Sequence, residues 1–434
     1  MKTSQYNITA LYGEDDILLY NTLSTSFVKL PKSIWEQITK NLSHQNLENE
    51  SLSGFVQTLK KGGFIVDKET NELLPVMHRF YSKMFHGRSL NLSIAPTMRC
   101  NFSCFYCFEE GNKNYGIMSD YVADKLVEYI SSNQEKYITL HWFGGEPLLG
   151  FKQIKNISNQ LNERGVKYTS TIITNGSLLS KKIISDLDNL HLQYIQISLD
   201  GTAKDHDARR TFKNGHPSFD LIISNLRNLM TMTNIHVCIH VTVDHSNESA
   251  YKDIVEFMQS NFTEYVKSKR ITIGHNYVQD RTGFDSSGSC FNSEQILKDE
   301  VNNLRYHTGT ARIPSLPGLA SPCMFRCRDA YAIDSKGFIY QCLEHLGNPQ
   351  FKIGSITEGK ISKSKLIETS CAYLPFEDNE CRKCAYLPIC GGGCPIDRIK
   401  VKNRMIKSCC SLHKDKLEAL LPHFYEINYK TKLA

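Results

Sequence analysis

The sequence has 434 residues, 41% of them hydrophobic and 22% charged, with a formal net charge of +6. That length favours two or three domains with material for a large core, and the modest, interspersed charge excludes the concentrated basic stripe of a nucleic-acid binder. No apolar run is long enough to span a bilayer, and Met1-Lys2-Thr3-Ser4-Gln5-Tyr6-Asn7 lacks the apolar core of a signal peptide, so the expected location is cytoplasmic and away from membranes.

The first 85 residues read as a small winged-helix-like module and a linker. Ile17-Leu18-Leu19-Tyr20 and Ser26-Phe27-Val28-Lys29-Leu30 flank a polar turn as in a hairpin. Pro31 precedes an amphipathic stretch in which Ile34, Ile38 and Leu42 share a face. A second stretch holds Phe55 and Leu59, stops at Gly62-Gly63, and leads into the strand-like Phe64-Ile65-Val66. As a DNA-binding wing the module would lack a basic recognition helix, since Lys32 to Lys40 carries two lysines and one glutamate.

Residues 86–280 alternate strands with helices. Leu90–Ala95, Ile138–Trp142, Ser170–Thr174, Tyr194–Leu199, Val237–Val243 and Ile271–Ile273 are the strand candidates, with helical patterns such as Ser119–Ser131 and Lys181–Asp186 between them. Such alternation predicts an α/β fold with a parallel sheet, here a partial (β/α)6 barrel whose functional groups gather at the C-terminal strand ends. Residues 281–322 are turn-rich around one helical pattern and read as a bridge. Residues 323–434 are loop-rich and cysteine-dense with little hydrophobic periodicity, so metal clusters would supply the missing cross-links.

Fifteen cysteines in a reducing compartment point to metal rather than disulfides. Cys100-x3-Cys104-x2-Cys107 directly follows the first barrel strand. Three thiolates within eight residues can wrap one face of a cubane and leave one iron open. A zinc knuckle is the bland alternative; it needs a fourth ligand, for which His86 and His141 are the candidates.

At this point the sequence resembles the radical S-adenosylmethionine (SAM) enzymes, whose further motifs appear in order. Phe143-Gly144-Gly145-Glu146-Pro147 after the second strand resembles the element that binds the methionine amino group, with Gly144 and Gly145 admitting a close approach to the ligand. Thr174-Asn175-Gly176 ends the third strand, and Ile197-Ser198-Leu199-Asp200-Gly201 ends the fourth. Ser198 resembles the residue on the cofactor's polar half, Arg210 the carboxylate-binding arginine, and Tyr106 an adenine-contacting aromatic. Taken singly, Ser198 or Tyr106 is an ordinary core or turn residue; in register with the other motifs they read as cofactor-binding, together with Gly144, Gly145, Glu146 and Arg210. The resemblance implies reductive cleavage of SAM to a 5′-deoxyadenosyl radical, with electrons from a low-potential donor such as flavodoxin or ferredoxin.

Cys323-x3-Cys327-x14-Cys342 and then Cys381-x2-Cys384-x5-Cys390-x3-Cys394, followed by Cys409-Cys410, resemble the SPASM extension. The family pattern implies two auxiliary 4Fe–4S clusters, three clusters in all. One would take Cys323, Cys327, Cys342 and Cys394; the other would take Cys381, Cys384, Cys390 and one of Cys409 or Cys410. A pair of zinc ribbons is the alternative for this segment alone. Cys238, Cys290 and Cys371 have no spacing partner.

Enzymes of this type mostly modify peptides. In anaerobic sulfatase maturases an aspartate follows the cysteine of the Gly-x4-Cys element, whereas here Leu343 does. Residues 6–67 resemble the leader-recognition domain of enzymes that mature ribosomally made (RiPP) peptides, which takes the leader as an added strand. The expectation is therefore a SPASM-type RiPP maturase acting on a leader-bearing precursor peptide, most simply as a thioether or carbon–carbon cross-linker. A sulfatase-maturase-like enzyme, a peptide epimerase and a non-catalytic metal-binding recognition protein are the alternatives. Glu344, His345 and Asp329 lie near auxiliary cysteines in the sequence, each with a structural reading, and no catalytic base is assigned.

Overall fold

Residues 1–44, 52–107, 109, 116–278, 290–291, 293–306, 316–403, 410, 414 and 416–430 are described by the computed structural model of the chain. Strands β1 (Lys2–Thr3), β2 (Asn7–Tyr12), β3 (Asp16–Asn21) and β4 (Phe27–Pro31) precede helices Lys32–His44 and Ser53–Lys61, and β5 (Ile65–Val66) returns antiparallel onto β1. Strands β2, β3 and β4 form an antiparallel sheet in that order. The hairpin pairs Ile17 with Leu30 and Tyr20 with Phe27.

Strand β3 reads as an unbroken apolar run because both of its faces are covered. Ile17 and Leu19 meet Ile38, Leu42 and Leu59 of the module's own helices. Leu18 and Tyr20 meet Tyr386, Ile389, Leu417 and Leu421 from the C-terminal region. Each such buried side chain stabilises by about 1.5–3 kcal/mol, so the module is tied to the rest of the chain. Helix Leu73–Met84 follows, in a stretch that the sequence pattern left as linker. Its face of Val76, Phe80 and Met84, spaced by four, packs on Leu374, Phe376 and Leu387.

The middle of the chain forms six parallel strands laid side by side in chain order: β6 (Ser89–Ile94), β7 (Tyr137–Trp142), β8 (Tyr168–Thr174), β9 (Leu192–Ser198), β10 (His236–Val243) and β11 (Ile271–Tyr277). Crossover helices include Asp120–Ser131, Phe151–Glu163, Phe219–Met232 and Ala250–Asn261. The sheet alternates cleanly. Leu90, Leu92 and Ile94 of β6, with Ile138, Leu140 and Trp142 of β7, are buried in the core beside Leu126, Ile154 and Ile157 of the helices. Their neighbours Ser93 and His141, paired across the two strands, take the opposite face with Ser198, His240 and Thr242. One face is thus a core and the other a polar lining. This is the α/β architecture with a parallel sheet expected from the alternation.

The cysteine-rich region, read from the sequence as loop-rich, adds strands to the barrel sheet and shares its core. Strand β12 (Ala330–Ile333) pairs parallel to β6, and β13 (Phe338–Tyr340), β14 (Gly354–Ser355) and β15 (Lys360–Ile361) continue antiparallel. The result is one ten-stranded mixed sheet. Tyr331, Ile333, Ile339, Ile353 and Ile356 enter the barrel's hydrophobic core. Helix Ser293–Tyr306 occupies the bridge.

Candidate active site

Strand β6 ends at Ile94 and releases the loop that carries Cys100, Cys104 and Cys107. Phe102 anchors that loop: it is buried, and its ring meets Phe212 edge-on at 4.8 Å. Backbone bonds from Ser103 N to Thr211 O (3.1 Å) and from Lys213 N to Asn101 O (3.0 Å) staple the loop to the segment that holds Arg210. Cys104 is buried, and Cys100 and Cys107 are half-buried. The Phe102 N–H donates to Cys100 Sγ at 3.4 Å, and Asn175 Nδ2 lies 4.0 Å from the same sulfur. Burial pushes the Cys100 thiol up to about 11, with Glu146 and Cys104 adding and the Phe102 N–H and Arg210 opposing. A thiol so placed holds its proton at neutral pH unless a metal replaces it.

The residues fit a three-thiolate cluster better than zinc. His86 lies before β6, at the opposite end of that strand from the cysteine loop, and is exposed. His141 meets Thr171 Oγ1 through Nδ1 at 2.8 Å.

The Gly144-Gly145 pair has a reason the sequence did not reveal. A Cβ on Gly144 would meet Thr97 O at 2.4 Å, and one on Gly145 would meet Arg99 O at 2.4 Å. Here the glycines admit the backbone of the cysteine loop itself. Glu146 is fully buried; one carboxylate oxygen accepts from Thr174 Oγ1 (2.7 Å) and Leu148 N (3.1 Å), the other from Asn175 N (2.8 Å). It ties the end of β7 to the end of β8 beside the cysteines. Gly145→Ala is expected to cost about 1–3 kcal/mol of stability by pushing the Met98–Arg99 backbone, read as a fall in thermal midpoint.

Across the loop, the Tyr106 hydroxyl donates to Asp200 Oδ2 and accepts from Arg210 Nη1 at 2.5 Å. The two adjacent arginines have different environments. Arg209 pairs with Asp244 at 2.7 Å and Asp200 at 3.4 Å, and its guanidinium lies over the Phe105 and Tyr106 rings. Arg210 keeps a buried Nε with no partner, and its Nη1 is 3.9 Å from Asp200 Oδ1. A buried unpartnered N–H on a charged fork is a ready donor for a carboxylate. Ser198 ends β9 opposite His240 of β10, half-exposed on the polar face.

Asp200, Arg209, His206 and Asn247 are the supports that motif reading passed over. Asn247 Nδ2 donates to Asp200 O (2.9 Å) and Thr242 O (3.0 Å). His206 is fully buried, accepts from Asp200 N at 3.3 Å and meets Ser218 Oγ at 3.0 Å. Burial, with Arg210 adding, pushes His206 from 6.5 down to about 3. The folded chain therefore keeps it neutral while the unfolded chain gains a proton below 6.5, so stability falls as pH falls. Between pH 7 and 5.5 this group is expected to cost about 1.3 kcal/mol, read from urea midpoints, and His206→Gln should flatten the difference.

The C-terminal cysteines fall into two neighbourhoods. Cys342 lies within electrostatic reach of Cys323 and Cys394, and Cys327 of Cys323. Cys384 lies within reach of Cys390 and Cys410, and its N–H donates to Cys381 O at 3.1 Å. Gly391, Gly392 and Gly393 all have positive φ (60°, 88° and 73°), a left-handed turn that lets Cys390 and Cys394 part company. Cys409 lies outside the described residues. Of the titratable neighbours, His345 stacks on Phe351 at 3.7 Å and is pushed down to about 4 by burial and Lys400. Asp329 pairs with Lys136 at 3.4 Å and lines an outer groove of about 1110 Å³.

Residues 94–258 match the Radical SAM superfamily. The cysteine-type anaerobic sulfatase-maturating enzyme of Clostridium perfringens is 23% identical over 373 residues, spanning 78% of this chain and 98% of that protein. Native anSMEcpe with bound AdoMet aligns with a TM-score of 0.61 at 19% identity, covering 79% of this chain and 98% of that one. SuiB of Streptococcus suis, bound to precursor peptide SuiA, aligns with a TM-score of 0.52 at 16% identity, covering 92% and 96%. The barrel with its cysteine loop is a radical SAM domain. The chain is similar to the anaerobic sulfatase-maturating enzymes over most of its length, and it shares its fold with SuiB. Such a domain implies a 4Fe–4S cluster and SAM.

Proposed function

We propose that this chain is a peptide maturase that modifies a ribosomally made precursor peptide, most simply by a thioether or carbon–carbon cross-link. The observation that carries the reading is the three-stranded N-terminal sheet fixed onto a radical SAM barrel. Among the described strands, β4 pairs only with β3 and forms an edge of that sheet, the position where a leader would add as a further strand. The fold shared with SuiB, which is bound to precursor peptide SuiA and overlaps 92% of this chain, supports a precursor peptide as substrate.

In this reading Cys100, Cys104 and Cys107 hold the catalytic cluster. With SAM bound, cleavage of the sulfonium supplies a 5′-deoxyadenosyl radical that abstracts hydrogen from an unactivated carbon. Arg210 would offer its free Nε to the methionine carboxylate, the Gly144–Glu146 turn would take the amino group, Tyr106 the adenine, and Ser198 the polar half. Asp200 and Arg209 hold Tyr106 in place. The C-terminal thiols hold two auxiliary clusters: Cys323, Cys327, Cys342 and Cys394 in one; Cys381, Cys384, Cys390 and Cys409 or Cys410 in the other. A low-potential donor such as flavodoxin or ferredoxin supplies electrons.

A second reading, a sulfatase-maturase type of activity, is favoured by the relatives themselves and opposed by Leu343 where that activity places an aspartate. Co-expression with a small peptide encoded nearby, followed by mass spectrometry, tests both. Loss of two hydrogens with a new cross-link supports the proposal. A one-mass-unit gain in deuterated water without a cross-link indicates epimerisation, and turnover of the Cp18Cys peptide, which anSMEcpe binds together with AdoMet, instead supports the sulfatase-type reading.

A further inference from the structure

Two arginines are buried among the C-terminal cysteines, and burying a cation is costly unless an anion compensates it. Arg326 is 2% exposed; Nη1 donates to Ser370 O (2.9 Å) and Ala372 O (3.0 Å), and Nη2 to Tyr373 O (3.2 Å). Among the described residues no carboxylate pairs with it, and its electrostatic neighbours include Cys323 and Cys394. Arg398 is 8% exposed; Nε donates to the same Tyr373 O (2.9 Å) and Nη1 to Gly392 O (3.0 Å) and Cys381 Sγ (3.3 Å). Its Nη2 meets Asp378 Oδ2 at 3.1 Å. Asp378 in turn accepts from Cys381 N (3.2 Å) and Glu380 N (2.9 Å), so one carboxylate fixes both the guanidinium and the backbone of Cys381.

Each guanidinium therefore faces one of the two cysteine neighbourhoods, and Tyr373, held at φ 52°, presents one carbonyl to both. Three neutral carbonyls cannot balance the buried charge of Arg326, and Arg398 has only the part-exposed Asp378 against it, whereas thiolates bound to iron can balance both. We infer that Arg326 and Arg398 are positioning residues that serve as counter-charges to two anionic auxiliary clusters and hold their reduction potentials up, Arg326 beside Cys323 and Cys394 and Arg398 through its N–H···S bond to Cys381. A cation and a sulfur hydrogen bond both favour the reduced, more negative cluster. This inference rests on the auxiliary clusters proposed above.

The test is an EPR-monitored redox titration of the reconstituted full chain. Arg398→Gln is expected to disfavour reduction of one auxiliary cluster at least tenfold, about 59 mV for one electron, leaving the radical SAM cluster unmoved. Arg326→Gln is expected to do the same to the other cluster. Arg398→Lys should recover part of the shift, since charge returns without the fixed fork. Asp378→Asn, a milder change that removes the opposing negative charge, should move the Cys381 cluster's midpoint upward, and it serves if the glutamine variants misfold. Unmoved midpoints, or equal shifts in all clusters, overturn the inference while leaving the proposed function intact. Iron and sulfide for a single cluster in the unaltered chain would overturn both.

Discussion

Cys104→Ala is expected to abolish release of 5′-deoxyadenosine while leaving the fold in place. Cys104 is the buried thiol of the three, and the loop that carries it is held independently by Phe102 on Phe212 and by the backbone bonds to Thr211 and Lys213. Removing one sulfur leaves two donors for a cluster that needs three, so the iron of that cluster is lost rather than loosened. Circular dichroism should be close to that of the unaltered chain, because the truncation removes one small side chain from a stapled loop. Cys290→Ala, which removes a thiol outside every ligand spacing, should keep both iron and turnover. Retained turnover in Cys104→Ala would contradict the proposed ligand set.

Arg209 and Arg210 give the second large effect, and the two should fail differently. Arg210→Gln is expected to weaken SAM binding by about tenfold to a hundredfold, the value of one charge-assisted hydrogen bond, with little change in stability. Arg209→Met leaves Asp200 and Asp244 buried without their shared cation, which costs about 3–5 kcal/mol of stability. Isothermal titration with SAM and urea unfolding separate the cases. A binding defect confined to Arg209→Met would reverse the assignment.

These adjacent residues also mark where sequence reading ends. The resemblance picks out Arg210 alone; only tertiary pairing shows that its neighbour Arg209 is consumed by two aspartates while Arg210 keeps a free Nε. The six barrel strands were legible because short β-rich segments, most of them alternating apolar and polar residues, recur between helical patterns, and the N-terminal hairpin because Ile17–Tyr20 and Phe27–Leu30 pair locally. Helix Leu73–Met84 has a fourfold spacing of Val76, Phe80 and Met84 that could have found it. The pairing of β12 with β6 spans more than 230 residues of chain, and no local pattern encodes it. For the same reason Gly144 and Gly145 read as ligand-approach glycines, whereas their nearest obstruction is the backbone of Thr97 and Arg99. Asp200 and His206 are short-range in sequence yet act through buried bonds that composition cannot reveal.

The account depends on a loop of three thiolates able to support reductive cleavage of SAM. The most direct measurement is quantification of 5′-deoxyadenosine after anaerobic reconstitution with iron and sulfide and reduction with dithionite in the presence of SAM. Release that requires reductant, and disappears in Cys104→Ala, is the predicted result. Protein that binds zinc in place of iron, or that leaves SAM intact under strong reductant, would contradict it.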